Sequence, residues 1–209
     1  MKCGRRLVVA ATVVLVLVVA AGGILAFWPR YQHPELRIEH QLAQLEVKGR
    51  APKTGYSREQ FYKSWTTKDY CSTAENILHR DLTDVVEGAD CRVVSGLLHD
   101  PYTGVDIPYR PGSAIQIDHV VALGNAWVTG AQYWTPEQRK AYANDPLVLL
   151  AVSGAANAAK QDGDAATWLP PNKGFRCTYV TLQIRIKVKY GLWVTPPEKE
   201  AMQQVLHSC

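Results

Sequence analysis

Asp118 and His119 stand side by side at the end of an apolar, β-branched run, Ala114-Ile115-Gln116-Ile117, and Asn157 and Lys160 follow about forty residues later. Adjacent residues on a strand point to opposite faces, so one of the pair can meet a metal and the other a substrate. The chemistry these residue types suit is hydrolysis of a phosphodiester, which needs an activated water, neutralised phosphate charge and a cation at the leaving oxygen. His119 suits the general base, because neutral imidazole is available near physiological pH. Asp118 is a hard oxygen ligand of the kind Mg²⁺ or Mn²⁺ takes, and Asn157 offers a second, neutral oxygen. Magnesium keeps several waters, so two protein ligands suffice. Lys160, Lys173 and Arg176 can hold phosphate oxygens, Arg176 in bidentate fashion. Taken alone, an Asp-His dipeptide is more often a hydrogen-bonded structural pair, so the surrounding sequence has to carry the argument.

The elements that must position these groups are legible in outline. Ile115–Val121 reads as the strand that presents the pair, Leu147–Val152 as a second short strand, and Gly154–Lys160 as a helix carrying Asn157. Cys91–Leu98 and Val105–Tyr109 read as strands joined by the turn Asp100-Pro-Tyr-Thr-Gly104. Helices are expected from Ser57, with Gln60 completing a capping box and Phe61 and Trp65 facing inward, and from Ala74 to Leu82. Further helices are expected over Ala122–Val128, from Pro136 through Ala143, and from Thr195-Pro-Pro-Glu198 onward. Leu182–Tyr190 alternates apolar and polar residues, which argues for a strand, while Gly191 reads as a helix stop; both readings stay open. Conspicuous residues elsewhere have ordinary explanations. His99 sits beside a turn, the tryptophans suit a core or its rim, and Asp162 and Asp164 suit a turn, with support of a metal site the lesser alternative.

Ahead of this region, Leu7 to Trp28 is an uncharged, apolar run preceded by Lys2, Arg5 and Arg6. It is long enough to span a bilayer, and the basic flank orients the remainder away from the cytoplasm. A cleaved signal segment, cut near Ala20-Ala21-Gly22-Gly23, is the alternative, and in that case the domain is secreted. Residues 29–55, with a short helix over Glu35–Val47 and the breaker-rich basic loop Lys48-Gly-Arg-Ala-Pro-Lys-Thr-Gly55, read as a linker, and residues 56–209 as the domain. Apart from Cys3 on the basic flank, the cysteines are Cys71, Cys91, Cys177 and Cys209. Four cysteines allow three connectivities; proximity along the chain favours Cys71–Cys91 and Cys177–Cys209, and no Cys/His spacing suits zinc. The net charge of +4 owes much to the flank before the apolar run, so the remainder has no global basic field for nucleic acid. A local excess survives between Asn172 and Tyr190, where Lys173, Arg176, Arg185, Lys187 and Lys189 meet no acid. A solvated face is the commoner meaning of such a run.

Several segments together resemble one family. They are Tyr56-Ser-Arg-Glu-Gln-Phe61, Arg80-Asp-Leu-Thr-Asp84, Leu98-His-Asp-Pro-Tyr-Thr-Gly104, Ile117-Asp-His-Val-Val-Ala-Leu123 with Ala126-Trp127, Ala143-Asn-Asp-Pro-Leu147, Trp168-Leu-Pro-Pro-Asn-Lys173 and Lys189-Tyr-Gly-Leu-Trp193. This set resembles the exported HNH endonucleases related to the C-terminal domain of GmrSD restriction endonucleases, from Lys48 to Cys209. The resemblance implies an α+β fold with a ββα-metal core and additional helices, and the apolar run Leu7 to Trp28 adds an N-terminal transmembrane helix ahead of it. It implies His119 as base, Asp118 and Asn157 as ligands of a divalent metal, and DNA, with RNA as a further substrate, cut with low sequence specificity. No obligate protein partner is expected; the membrane is contacted through the N-terminal segment. Three departures stand out. Val148 replaces an asparagine that braces the catalytic loop, Ala74 replaces an arginine, and Gln161 replaces the glycine of a Lys-Gly-Asp pattern. Those at Val148 and Ala74 imply an attenuated enzyme, or a degenerate HNH fold serving as a nucleic-acid or cell-envelope binding module.

Overall fold

A computed structural model describes residues 34–209 except Asp69. Its helices and strands, in chain order, are α1 (Pro34–Gln44), α2 (Thr73–Asp81), β1 (Leu82–Glu87), β2 (Val93–His99), β3 (Asp106–Tyr109), β4 (Ile115–His119), α3 (Leu123–Val128), α4 (Pro136–Ala143), β5 (Leu149–Ser153), α5 (Gly154–Lys160), α6 (Arg176–Tyr190) and α7 (Pro196–His207). A two-residue strand pair, Thr67–Lys68 with Cys71–Ser72, precedes α2. The architecture is mixed α+β, with small antiparallel sheets: β1-β2-β3 in that order, and β4 with β5.

Local chemistry explains most of these boundaries. Ser72 caps α2 by accepting from the Glu75 amide, and Ile77 and Leu78 form its buried face. Reciprocal capping boxes, Thr135 with Gln138 and Thr195 with Glu198, start α4 and α7, each with a proline in the first turn. In α6 the buried residues Tyr179, Val180, Gln183, Ile184, Ile186 and Lys187 follow helical spacing, and the helix ends at Gly191 in the left-handed region, φ 61°. That settles the ambiguous segment as helix.

Two segments differ from the sequence expectation. Ser57 does not cap a helix: only a single 3-10 turn, Arg58–Gln60, forms there, and Ser57 makes no capping hydrogen bond. Strand β1 was absent from the sequence reading because its alternation is broken. Asp84 sits at φ 50°, the register with β2 slips between Thr83 and Val86, and of its six residues only Leu82 is buried.

Helix α2 lies against both sheets, and Ile77, Leu78, Leu82, Val93, Leu98, Leu149 and Ala151 make a shared apolar cluster. It also screens the open edge of β5. The Asp81 carboxylate accepts from the Ala151 amide (2.8 Å), and the Arg80 guanidinium donates to the carbonyls of Leu149 (2.6 Å) and Pro146 (2.7 Å). An unpaired strand edge otherwise invites association with another chain. Disulfides join Cys71 to Cys91 and Cys177 to Cys209, the second linking the start of α6 to a position two residues past α7.

From Gln41 onward the chain is one unit, so part of the expected linker belongs to the domain. Val47 bridges Val194, the Ala51 amide donates to the Val128 carbonyl (2.9 Å), and Trp193 Nε1 donates to the Gly49 carbonyl (3.1 Å). The apolar run expected as a membrane or signal segment lies outside the described residues; among those described, no helix is long and apolar enough to cross a membrane.

Candidate active site

Strand β5 passes into α5 without a loop, so β4, β5 and α5 form one strand–strand–helix unit. Asp118 pairs with Leu150 and His119 with Leu149. Gly154 permits the close approach at its base: its amide donates to the Ala114 carbonyl, and a Cβ would collide with that oxygen. A polar cleft of about 230 Å³ opens over this unit, lined by Arg58, Asp118, His119, Asn157, Gln161 and Asp162 among others. The expected base and both expected metal ligands thus share one cavity, although they come from two elements far apart in sequence.

His119 is buried, 4 % exposed, in an aromatic setting: Trp65 stacks on the imidazole (5.8 Å between centroids, 13° between planes), with Tyr62 and Tyr142 nearby. Its Nε2 lies 3.0 Å from the Ala143 carbonyl oxygen. A carbonyl can only accept, so Nε2 carries the proton and Nδ1 keeps its lone pair. Burial is the main reason the imidazole pKa falls to about 3, with Arg58 and Lys160 adding to the depression and the Ala143 hydrogen bond opposing it. The ring is therefore a neutral acceptor throughout the physiological range.

Asp118 is held from both sides. Tyr102 donates its hydroxyl to Oδ2 (2.6 Å), and Lys160 Nζ donates to Oδ1 (3.0 Å) and to the His119 carbonyl (2.9 Å). Burial, reinforced by Asp118 itself, holds the Tyr102 phenol well above its ordinary pKa, so it remains a donor. The Lys160 ammonium, expected on a phosphate, lies beneath the cleft with no exposed side-chain surface and braces the Asp-His pair instead. Lys173 and Arg176 do not line the cleft; Lys173 is exposed, and Arg176 donates to the Pro170 carbonyl (2.8 Å).

Asn157 donates through Nδ2 to Gln116 (2.9 Å), which orients its amide and leaves Oδ1 as the free acceptor. Asp162 is partly exposed and bonded to Lys53 (2.6 Å). Among the described residues, no three His, Cys, Asp or Glu side chains gather as a metal cage. The cleft does hold two carboxylates and an amide, hard oxygen donors that fit a cation retaining several waters.

The departures from the resembling family have structural counterparts. Val148 is fully buried and has no side-chain hydrogen bond to offer; its carbonyl accepts from the Val120 amide (2.8 Å), and its amide donates to the Asp145 carbonyl (2.9 Å). Next to Ala143, the Asn144 side chain accepts from the Thr66 amide and from the hydroxyls of Thr66 and Thr73, fixing the loop that holds His119. Arg58, unmarked in the sequence reading, supplies a guanidinium to the cleft, bonded to the Tyr62 hydroxyl and lying over its ring. Gln161 occupies φ 51°, ψ −130°, a region suited to glycine, and its side chain borders the cleft. Arg58 and Tyr102 lie within segments that carried the resemblance, but no local spacing ties either to Asp118 or His119.

The model of a family described as GmrSD restriction endonucleases, C-terminal domain, matches residues 55–205. An uncharacterized secreted protein of Arthroderma benhamiae is 39% identical over 170 residues, covering 80% of this chain and 82% of the relative. No solved structure matches.

Proposed function

The chain belongs to the family of GmrSD restriction endonuclease C-terminal domains, and on that premise we propose that it is an HNH-type endonuclease, dependent on a divalent metal such as Mg²⁺, that cuts DNA, and RNA as a further substrate, with low sequence specificity. The observation that carries this reading is the meeting of Asp118, His119 and Asn157 in one polar cleft on a strand–strand–helix unit, with His119 pinned so that one ring nitrogen remains an acceptor.

In the reaction, His119 Nδ1 takes the proton of the attacking water, and the Ala143 carbonyl keeps the ring in the required tautomer. Arg58 neutralises charge on the scissile phosphate, the part the sequence reading gave to Lys160, Lys173 and Arg176. Asp118 and Asn157, with Asp162 beside them, would hold the metal, which when bound supplies charge neutralisation at the phosphate and the leaving oxygen. Tyr102 and Lys160 keep the Asp118 carboxylate in place. The Asn144 side chain, which fixes the loop beside Ala143, and the guanidinium of Arg58 in the cleft favour the nuclease over a degenerate binding module despite the replacements at Val148 and Ala74.

We place the domain outside the cytoplasm. Two disulfides suit an oxidising compartment, and the related fungal protein is described as secreted. Nicking of supercoiled plasmid by the purified full chain, with and without Mg²⁺ or Mn²⁺, tests the function. Metal-dependent nicking supports the nuclease; salt-sensitive DNA binding without turnover under any divalent metal supports the binding module.

A further inference from the structure

The basic loop Lys48–Gly55 meets the chemistry above only through the Lys53–Asp162 ion pair, yet it is fixed against the domain and borders a second cavity. Besides the bonds of Gly49 and Ala51, the Lys48 amide donates to the Val194 carbonyl (3.0 Å) and the Tyr56 amide to the Lys53 carbonyl (3.1 Å). The cavity, about 220 Å³, is lined by Arg50, Lys53, Asn125 and Asp162 among others. It shares Asp162 with the catalytic cleft, so the two cavities adjoin through one side chain. Gly124 makes this possible, because a Cβ there would overlap the Asp162 carboxylate.

The two cations differ in how they are held. Arg50 donates through Nη2 to Asp164 (2.6 Å), a buried carboxylate also fixed by Ala166 and Thr167, and the Arg50 side chain is still 48 % exposed. One corner of the guanidinium is anchored and its other donors stay open. Lys53 lies 4.8 Å above the Tyr56 ring and pairs with Asp162, both partners being substantially exposed (52 % and 42 %). An exposed ion pair of this kind contributes little, so the ammonium is readily turned to a phosphate oxygen. Asn125, in the same wall, keeps an amide nitrogen without a partner among the described residues.

We propose that Arg50 and Lys53 form a second phosphate subsite, which binds a backbone phosphate of the nucleic acid strand next to the one being cut. The inference rests on the nuclease reading for its substrate, but it concerns binding and is tested apart from cleavage. Fluorescence anisotropy of a labelled duplex DNA with the full chain in EDTA, across a salt series, measures the number of phosphate contacts. The Arg50→Gln/Lys53→Gln protein should bind more weakly, with the slope of log K against log salt reduced by about 2. Arg50→Lys/Lys53→Arg, which keeps both charges, should restore most of that slope. In the presence of metal, KM for DNA should rise in Arg50→Gln, whose partner Asp164 lies outside the catalytic cleft, while hydrolysis of bis(p-nitrophenyl) phosphate, a single phosphodiester, is unchanged. An unchanged slope in a folded Gln variant overturns the subsite, as does an equal loss on the small diester. Salt-dependent binding that needs both cations, without cleavage by the wild type, keeps the subsite and overturns the nuclease.

Discussion

At the scale of single residues, the site depends on a histidine kept neutral by burial. Between about pH 6.5 and 3 the unfolded chain binds a proton on His119 that the folded protein does not, so stability rises with pH through that window and is lost on acidification. The loss attributable to this one group should reach about 3 kcal/mol between pH 7 and pH 4. Urea unfolding at stepwise pH checks it: the wild type should show this extra acid loss, and His119→Asn should lack most of it. Because the folded imidazole is already neutral, kcat/KM should show no inflection near pH 6.5. Gln161 makes the opposite case, a residue that works against stability. It holds a glycine conformation at the edge of the cleft, a type of strain that tends to persist where function requires the side chain. Gln161→Gly should therefore raise stability by about 1 kcal/mol in urea unfolding; a loss of stability would show that the side chain, not the backbone, dominates at this position.

At the scale of elements, the unit β4-β5-α5 is held together by a buried ion pair. Lys160, the last residue of α5, reaches back to the end of β4. Removing one partner of a buried pair strands the other charge, so Lys160→Met should cost about 3–5 kcal/mol and depress activity through misplacement of Asp118. A midpoint in urea within experimental error of the wild type would contradict that role. Much of this unit was legible beforehand. The β-branched run into Asp118-His119, the short apolar strand and the helix Gly154–Lys160 follow local period and composition, and the structure forms all three within a residue or two. What stayed hidden depends on contacts between distant segments. Nothing near Tyr102 says that its hydroxyl reaches Asp118, and nothing near Lys160 says that its ammonium is buried instead of facing a phosphate. Strand β1 was missed for a different reason: its irregular register and left-handed Asp84 erase the alternation a strand would show.

At the scale of the whole molecule, two cross-links close loops on either side of the site. Cys71–Cys91 spans 20 residues and Cys177–Cys209 spans 32. In the chain-entropy account each is worth about 3–4 kcal/mol, so reduction under native conditions should lower the urea midpoint sharply, and Cys177→Ser/Cys209→Ser should reproduce about half the effect. Charge acts locally in this chain. With its small net charge the chain has no general field, so on the proposed reading its phosphate contacts are Arg58 in the cleft and Arg50 and Lys53 beside it. The central claim, that His119 is the base of a metal-dependent nuclease, is tested most directly by comparing wild type and His119→Ala in plasmid nicking with Mg²⁺, with circular dichroism to verify the fold. The account predicts metal-dependent cleavage by the wild type and a loss of about 10²–10⁴-fold in the variant. Equal cleavage by the two proteins would contradict it.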